Sequence, residues 1–376
     1  MLAQLVEQSA FNRSVIGSNP IQPTISYGGK MKYKTVGFKG SKRKLLETIQ
    51  KLTEEVPNAE TFFDGFSGSG IVSAHMRQQG FKVTANDKMP SAALFARVFL
   101  NGFDEDLIEK ALITLNNLPE KDGWLFQNYS GKYLRQVRGV AAPVWRPRAF
   151  IESNAKKLDA AFEYIHTLGA SPEKDALLFS AIQALNSVFN GTNDQKSSLA
   201  EWTAKSQKTV EFKMPTLITG KKGDVECCEI FDVKNTQADV VYLDPPYTTG
   251  VLYDACYHLN DSVVLWDKPD LDHSYALPRP DRVCFRKNQE CAGAFYMKKT
   301  VKDDFDKLLG QFDCKRIILS YSNGTRNAIS FSDLLLTSQK HGTVKVYDQS
   351  HKLCMQPKKM KKQQKNLVEF FFVIDK

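Results

Sequence analysis

The sequence lacks long apolar runs, C-x-x-C pairs and histidine-rich tracts. A membrane-spanning helix needs about 20 mainly apolar residues, so no span is predicted, and no charged-apolar-cleavage pattern predicts export. The seven cysteines have no zinc-ligand spacing, so we expect no bound metal. Cys227 and Cys228 are adjacent and cannot readily bridge each other without strain. We therefore expect reduced thiols, most of them buried, in a cytoplasmic protein.

The chain carries an excess of basic residues. Its 376 residues include 51 Lys+Arg and 42 Asp+Glu, which gives a formal net charge of +9 at pH 7. Such an excess favours a polyanionic partner, although it does not identify one. The length is sufficient for one large hydrophobic core with an additional subdomain.

One tetrapeptide, Asp244-Pro245-Pro246-Tyr247, directly follows the apolar run Val240-Val241-Tyr242-Leu243. Four apolar residues before a Pro-Pro break predict a buried parallel strand that ends there, because proline cannot donate to a ladder and keeps the preceding residue extended. The tetrapeptide therefore lies at the carboxyl end of a strand. Open α/β sheets bind their ligands at this edge.

The order of these four residues indicates methyl transfer to the exocyclic amino nitrogen of a flipped base. Such a nitrogen needs hydrogen-bond acceptors, which the Asp244 carboxylate and the Pro245 carbonyl can supply. Tyr247 can stack on the base once it has left the duplex. The catalytic candidates are thus Asp244, Pro245, Pro246 and Tyr247. The alternative is a turn after a strand with a capping aspartate.

A glycine-rich loop follows an apolar segment at residues 61–70, TFFDGFSGSG. Residues 71–79 are compatible with a helix, whose N-terminus is electropositive, and glycines let the backbone approach a ligand closely. Residues 81–87 predict a second strand ending in Asp87, and an acid about 20 positions after such a loop can accept hydrogen bonds from a ribose diol. The loop alone also fits a dinucleotide site or a structural turn. Together with the tetrapeptide, it predicts S-adenosylmethionine as the ligand.

A third element precedes both motifs. Residues 36–46 form a Gly-Ser turn that enters a predicted helix, with Phe38 and Lys42 four positions apart. Phe38 can cover the methionine end of the cofactor, and Lys42 can meet its carboxylate. The alternative is a solvated, basic helix start.

Taken in order, the three elements resemble the Dam-like, α-order adenine-N6-specific DNA methyltransferases, most closely those of restriction–modification systems. The order is Phe-x-Gly-Ser-Lys at 38–42, Asp-Gly-Phe-Ser-Gly-Ser-Gly at 64–70, a long insert, and Asp-Pro-Pro-Tyr at 244–247. Further segments that look like family blocks are residues 154–159, 199–202, 257–260, 266–269 and 319–322. The resemblance covers about residues 33–374, which is nearly the whole chain.

The resemblance implies that Asp244 serves both cofactor binding and catalysis. The candidate cofactor-binding residues are Phe38, Lys42, Asp64, Gly65, Phe66, Gly68, Gly70, Asp87, Asp224 and Asp244. For Asp224, a contact with the adenine of the cofactor and a capping role are equally compatible with the sequence. The tetrapeptide is followed by Thr248-Thr249-Gly250, where many relatives have asparagine, so the contacts beyond Tyr247 differ from the family pattern.

The predicted fold class is α/β, a Rossmann-like S-adenosylmethionine-dependent methyltransferase with a mostly parallel sheet. A C-terminal antiparallel hairpin is predicted from the strand patterns at 343–347 and 367–374. We expect a catalytic domain at 31–103 and 223–376, and a mainly helical target-recognition subdomain inserted at 104–222. Residues 1–30 lack family motifs, and we expect them to be a disordered or non-native leader.

The insert combines predicted helices at 104–118, 151–168 and 175–189 with a basic segment at 124–150. This segment has no acidic residue, and aromatic side chains are interleaved with its basic ones. Such a composition suits phosphate contacts, base-edge readout and filling of the gap left by a flipped base. The alternative is a solvated loop whose aromatic side chains pack inward. The candidate DNA-binding residues are Lys132, Arg135, Arg138, Arg146 and Arg148.

These inferences predict a methyltransferase that modifies N6 of adenine in double-stranded DNA with S-adenosylmethionine as donor and no metal. Expected partners are DNA and, as a further candidate, a cognate restriction endonuclease encoded nearby; we expect a monomer or weak dimer. Two alternatives remain. One is a catalytically inactive DNA-binding or regulatory relative. The other is the same core acting on another amino group, such as cytosine N4 or RNA adenine.

Overall fold

The computed structural model describes residues 34–131, 148–192, 194–196, 198–199, 201–246, 253–269, 271–272, 285–286, 295, 297–322, 327–351 and 367–376. The expected leader at 1–30 lies outside the described residues, and so do Tyr247 and most of the basic segment of the insert. The fold and the pocket below are built from the described residues alone.

The described ranges contain ten α-helices and nine strands, and five of the helices follow one another between residues 90 and 188. The helices, in chain order α1 to α10, are Leu46–Glu54, Ile71–Gln78, Pro90–Asn101, Glu105–Asn117, Trp124–Tyr129, Glu152–Thr167, Pro172–Val188, Tyr253–Leu265, Val301–Gly310 and Phe331–Gln339. The strands β1 to β9 are Thr61–Asp64, Lys82–Asn86, Asp224–Glu226, Val240–Leu243, Leu271–Asp272, Phe285–Arg286, Arg316–Ser322, Thr343–His351 and Leu367–Asp375. Among the helices described, none is both long enough and apolar enough to cross a membrane.

Seven strands form one sheet in the order β3-β2-β1-β4-β7-β9-β8. The first five run parallel, with Phe62 of β1 opposite Val83 of β2 and Val240 of β4. β9 pairs antiparallel with β7 on one side and with β8 on the other, so the last strand lies inside the sheet and β8 forms the edge. The predicted mostly parallel sheet with a C-terminal antiparallel hairpin is confirmed.

Both faces of the sheet are buried, as expected for parallel strands covered by helices. Because side chains alternate along a strand, Phe62 and Val240 face the core that contains α1 to α3, while Phe63 and Val241 face the core that contains α9. All four strand β4 residues are buried. Burying a side chain of this size contributes about 1.5–3 kcal/mol, so continuous apolar strands hold the sheet in register.

The helices of the insert share a hydrophobic core with the catalytic sheet. Phe179 of α7 packs edge-on against Phe95 and Phe99 of α3, with ring centroids 5.3 and 5.2 Å apart. These side chains belong to the same buried cluster as Phe62 of β1. The insert is therefore fixed to the sheet through α3.

Local capping explains the helix boundaries of the insert. Helix α4 begins after Asp104, whose carboxylate accepts a hydrogen bond from the Leu107 amide at 3.0 Å. Helix α7 begins earlier than the sequence predicted, because Ser171 accepts a hydrogen bond from the Lys174 amide and Pro172 takes the first helical position. The sequence pattern identified the apolar face of this helix but not its cap.

The first residues of the basic segment of the insert are helical. Residues Trp124–Tyr129 form helix α5, whose N-terminal amides at Leu125 and Phe126 donate to the Asp159 carboxylate at 2.9 and 2.8 Å. Trp124 and Tyr129 are buried in the core. For these two aromatic residues, the inward-packing alternative is confirmed. Tyr133 and Trp145 lie outside the described residues.

Candidate active site

A pocket opens at the carboxyl ends of β1, β2 and β4, the edge at which open α/β sheets bind ligands. The segment before α1, the glycine loop after β1, the segment after β3 and the start of α8 complete its walls. Seven of the predicted site residues line it, namely Phe38, Lys42, Phe66, Gly68, Asp87, Asp244 and Pro246. Elements far apart in the sequence thus meet at one cavity, as the three motifs predicted.

The glycine loop follows a path that larger residues would obstruct. Gly68 and Gly70 have φ angles of 50° and 71°, a left-handed conformation that favours glycine. A Cβ atom at Gly70 would lie 2.8 Å from the Phe99 ring, and one at Gly68 would lie 3.1 Å from the Phe38 ring. The two glycines therefore let the loop pass close to α3 and to the Phe38 ring.

Asp87, which follows β2, is held by two backbone amides. Its Oδ2 accepts a hydrogen bond from Gly68 at 2.8 Å and its Oδ1 accepts one from Met89 at 3.0 Å. Burial raises the pKa of Asp87 to about 6, although these two amide bonds lower it. A carboxylate oxygen that accepts one hydrogen bond retains a second lone pair, so Asp87 can still accept bonds from a diol.

Asp64, Gly65 and Gly70 lie behind the pocket wall rather than on it. The Oδ2 of Asp64 accepts a hydrogen bond from the Ser73 hydroxyl at 2.6 Å, and burial raises the pKa of Asp64 to about 7. The Gly65 amide donates to the Tyr242 carbonyl at 2.9 Å. These contacts hold Asp64 against α2 and Gly65 against β4, and the predicted cofactor contacts of Asp64, Gly65 and Gly70 stay predictions.

Asp244 ends β4 and forms an ion pair with a buried lysine. Lys42 Nζ lies 2.7 Å from Asp244 Oδ2 and 3.3 Å from Glu369 Oε1 of strand β9. It also donates to the Gly40 carbonyl at 3.2 Å. Burial raises the pKa of Asp244 to about 6, while Lys42 lowers it and Glu369 raises it. Lys42 therefore lines the pocket while it is paired with Asp244 and Glu369, and its predicted contact with a ligand carboxylate stays a prediction.

Glu369 was not predicted from the sequence, although it completes this cluster. It is 2% exposed, and its Oε1 accepts a hydrogen bond from the Ser320 hydroxyl at 2.5 Å. The only sequence signal is an acid within the otherwise apolar run at residues 367–374. Because a buried carboxylate requires a partner, such an acid indicates a nearby cation.

Phe38 forms an aromatic wall with two tyrosines of α8. Its ring stacks on Tyr257 with centroids 4.3 Å apart and planes at 13°, and it lies 5.7 Å from the ring of Tyr253. Helix α8 therefore places two tyrosines beside the residue that was predicted to cover the cofactor. Residues 257–260 resemble a family block, but the sequence carries no signal for these stacking contacts.

A second charged group lines the pocket beside Asp87. Lys88 Nζ lies 3.1 Å from Asp254 Oδ2 and 3.5 Å from Glu229 Oε1. Lys88 and Glu229 follow the carboxyl ends of β2 and β3, while Asp254 lies at the start of α8. The positions of Lys88 and Glu229 after strands could have indicated a place in the site, since ligands bind at this edge of the sheet.

Asp224 does not lie in the pocket. It is the first residue of β3, its side chain is 66% exposed, and its Oδ2 lies 3.6 Å from Lys82 Nζ. Farther along the same segment, Cys228, Glu229 and Ile230 line the pocket instead. The predicted segment thus reaches the site, but through residues after β3 rather than through Asp224.

Of the five candidate DNA-binding residues, only Arg148 is described. Its guanidinium carbon lies 5.5 Å from the centroid of the Trp202 ring, and its carbonyl accepts a hydrogen bond from the Asn190 side chain at 3.0 Å. Lys132, Arg135, Arg138 and Arg146 lie outside the described residues, as does Tyr247. Within the described ranges, no group of three or more His, Cys, Asp or Glu residues is arranged to hold a metal ion.

Three curated proteins with similar sequences are modification enzymes. The chain is 26% identical to the type II methyltransferase M.NlaIII of Neisseria lactamica over 305 residues, and this match covers 77% of this chain and 84% of that protein. It is 26% identical over 249 residues to the modification methylase StsI of Streptococcus sanguinis, covering 62% and 36% of the two chains. It is 23% identical over 302 residues to the modification methylase LlaI of Lactococcus lactis subsp. lactis, covering 76% and 46%. The matches thus span less than half of the latter two proteins.

The family comparison agrees with the order of the motifs and with the pocket. The sequence profile of the D12 class N6 adenine-specific DNA methyltransferases matches residues 38–269. The match includes Phe38 at its start, the glycine loop, the insert and Asp244, and thus more than half of the chain. The protein belongs to the D12 class of N6 adenine-specific DNA methyltransferases.

Proposed function

We propose that the protein transfers a methyl group from S-adenosylmethionine to N6 of adenine in double-stranded DNA, after the target base has left the duplex. The observation that carries this proposal is the position of Asp244, which ends β4 at the pocket edge and is paired with Lys42 at 2.7 Å. The carboxylate is thus oriented before a substrate arrives. A modification role beside a cognate restriction endonuclease is supported by the names of the similar proteins.

The chemistry of the pocket fits S-adenosylmethionine. Asp87 offers acceptors to a ribose diol, Phe38 offers an aromatic surface, and Asp244 offers a negative charge to a cationic ligand. When bound, S-adenosylmethionine supplies an activated methyl group on a positively charged sulfur. We therefore assign Phe38, Phe66, Gly68, Asp87 and Asp244 to cofactor contact, and Asp64, Gly65 and Gly70 to support of the loop.

The residues of the tetrapeptide act on the adenine. The Asp244 carboxylate accepts a hydrogen bond from the amino group, and the Pro245 carbonyl is placed in sequence to accept a second one. Two acceptors draw the nitrogen toward a tetrahedral geometry, in which its lone pair is available for reaction. Lys42 holds the Asp244 carboxylate in place. Alignment of the amino nitrogen with the methyl group then supplies most of the rate enhancement. Pro246 keeps the turn after β4 rigid.

Stacking on Tyr247 is the basis of a testable prediction about base flipping. Replacement of Tyr247 by Ala should lose about 1–3 kcal/mol of stabilisation of the extruded base, which lowers kcat/KM for DNA by about tenfold to a hundredfold. Replacement by Phe keeps the ring and should keep most of the activity. Steady-state kinetics on matched and mismatched duplexes would measure both effects. The Ala deficit should shrink when the target adenine is mismatched, because that base costs less to extrude.

If the Phe variant is as inactive as the Ala variant, the hydroxyl rather than the ring of Tyr247 is required. That result would contradict stacking as the role of this residue.

Cofactor binding should release protons in mildly acidic solution. The pKa values of Asp87 and Asp244 are raised to about 6, so near pH 6 each carboxyl is partly protonated in the free protein. A positively charged ligand favours the ionised form and lowers both pKa values. We expect net proton release near pH 6 and almost none near about pH 8, where both groups are already ionised. Calorimetry in buffers with different ionisation enthalpies measures this quantity.

Asp87→Asn provides the control for proton release, because it removes one of the two titrating groups and should reduce the number of protons released. Proton uptake on binding near pH 6 would contradict the assignment of the pocket to a cationic cofactor.

The insert is the proposed target-recognition subdomain, with the catalytic domain formed by residues 31–103 and 223–376. The strands of the catalytic sheet are buried, so base reading requires other elements of the chain. Arg148 and the basic residues Lys132, Arg135, Arg138 and Arg146 are its proposed DNA contacts. Each lost phosphate contact should reduce the salt slope of DNA binding by about 0.9.

Mass analysis of nucleosides tests the proposed function directly. DNA from an unmethylated host is incubated with the protein and S-adenosylmethionine, then digested and examined for N6-methyladenine. Its appearance, dependent on the cofactor, is the expected result. Methylation of cytosine N4 or of RNA would point to a different amino-group substrate. Cofactor and DNA binding without any methylation would instead support an inactive DNA-binding relative.

A further inference from the structure

A short loop of the insert contacts the aromatic wall of the pocket. Asp194 of this loop forms an ion pair with Lys39, the residue that follows Phe38. Lys39 also donates its backbone amide to the Tyr257 hydroxyl at 2.6 Å. Although burial lowers the pKa of Lys39, its hydrogen bond to Asp194 raises it above the usual value. The loop therefore contacts and holds the chain segment that carries Phe38.

The next residue of the loop, Gln195, forms hydrogen bonds with backbone groups at a break in helix α8. Helix α8 is kinked at Tyr257, whose φ and ψ of −128° and 18° are not helical. Such a break leaves amide donors and a carbonyl without helical partners. The Gln195 side-chain carbonyl accepts hydrogen bonds from the Leu259 and Asn260 backbone amides at 3.1 and 3.2 Å, and the Gln195 backbone amide donates to the Cys256 carbonyl at 2.7 Å. Gln195 thus satisfies backbone groups on both sides of the kink.

These contacts determine the positions of Phe38 and Tyr257 in the aromatic wall of the pocket. The kink places the Tyr257 ring 4.3 Å from the Phe38 ring, and Phe38 packs in turn against the glycine loop at Gly68. Gln195 is 1% exposed and Asp194 is mostly buried, so both are fixed parts of the structure. Neither residue lines the pocket itself. Their influence on a ligand must therefore pass through Lys39, Phe38 and Tyr257.

We propose that Asp194 and Gln195 are positioning residues through which the insert holds the Phe38 wall of the cofactor pocket. The proposal rests on the proposed use of S-adenosylmethionine. It assigns the insert a second role besides the reading of DNA, because the same subdomain then sets cofactor affinity. A loop that only stabilised the fold would not change cofactor affinity selectively.

The test is calorimetric titration of S-adenosylhomocysteine, the expected product, into the full-length protein without DNA. Asp194→Ala should weaken binding about tenfold, because contacting residues typically couple by about 0.5–3 kcal/mol. Asp194→Glu keeps a carboxylate for Lys39 and should recover most of the affinity. Asp122→Ala is the matched control, since it breaks an ion pair of the insert with Lys156 at 2.8 Å and leaves the pocket untouched.

Methylation kinetics separate positioning from a general loss of structure. In Asp194→Ala, KM for the cofactor should rise while kcat at saturating cofactor stays within about twofold of wild type. Gln195→Leu, which cannot bond the amides after the kink, should show the same pattern. The double variant Lys39→Ala/Asp194→Ala should be no weaker in cofactor binding than the worse of its single variants.

The outcomes distinguish this proposal from the proposed function. If the wild-type protein fails to bind S-adenosylhomocysteine, the proposed function itself is wrong. If the wild type binds but Asp194→Ala binds equally well, the positioning role is overturned. Additive losses in the double variant, or a fall in kcat with unchanged KM for the cofactor, would also overturn it.

Discussion

Replacement of Asp244 by alanine is expected to lower turnover by about a thousandfold or more, even at saturating cofactor. The carboxylate is the charged acceptor at the end of β4, and Lys42 holds it at 2.7 Å. In the proposed mechanism, the amino group of the base then loses the acceptor that draws it toward a reactive geometry. Single-turnover methylation with saturating cofactor measures the chemical step directly, because substrate binding and product release are then separated from it.

Two further variants make this result specific. Asp87→Ala should chiefly raise KM for the cofactor, because the proposed role of Asp87 is to supply acceptors for the ribose rather than for the base. Asp239→Asn alters the opposite end of strand β4, where Asp239 accepts hydrogen bonds from Thr61, and should leave kcat nearly unchanged. Near-normal turnover in Asp244→Ala would rule out the proposed mechanism. A similar fall in Asp239→Asn would indicate that the strand, rather than the carboxylate, had been damaged.

Replacement of Lys42 by methionine is expected to cost about 3–5 kcal/mol of stability in addition to most of the activity. The ammonium is almost fully buried between the carboxylates of Asp244 and Glu369. Methionine fills a similar volume but leaves two buried acids without their shared cation. Urea unfolding at several pH values measures the loss of stability, and methylation assays measure the loss of turnover.

The pH dependence of the Lys42 variant follows from the charges. Lys42 lowers the pKa of Asp244, so its removal raises that pKa above about 6 and farther from the ordinary value of 3.8. The folded variant then binds more protons than the unfolded chain, so its stability falls as pH rises through this range. The deficit should be smaller near about pH 5 than near about pH 8, because a protonated Asp244 needs no counter-ion.

Glu369→Gln supplies the second arm of this experiment. It removes one of the two carboxylates, so the double variant Lys42→Met/Glu369→Gln should lose less stability than the sum of its single variants. A strictly additive sum would show that Lys42 and Glu369 do not act together. In the single variant Glu369→Gln, the pKa of Asp244 should fall, because Glu369 raises it.

Local sequence signals were sufficient for the strands that build the pocket. The apolar run before Asp244 is strand β4 with the predicted bounds, because the prolines after Asp244 cannot continue a ladder. Strand β1 begins the segment at 61–70 in which an apolar stretch was predicted to run into the loop, and it ends at Asp64 before the first glycine. Helix α1 begins at Leu46, later than the predicted entry at the Gly-Ser turn, since Leu45 directly before it has φ and ψ of −115° and 2°, which are not helical.

The contacts that orient the site could not be predicted in the same way. Glu369 meets Lys42 only because β9 inserts between β7 and β8, and Gln195 meets Leu259 only because α8 is kinked. Both are long-range contacts with no repeating pattern in the sequence. Residue identity indicated that a carboxylate or an amide would require a partner, but the partner depends on how distant segments pack.

The place of β9 in the sheet has a consequence for how the enzyme is synthesised. Lys42 leaves the ribosome early and Glu369 late, and β7 has an open edge until β9 arrives. Folding of the catalytic pocket is therefore completed after translation of residues 367–375, not while the glycine loop and Asp244 emerge. We expect a nascent or prematurely terminated chain that lacks this strand to be inactive, because Glu369 is missing, and to be prone to aggregation through the exposed edge of β7.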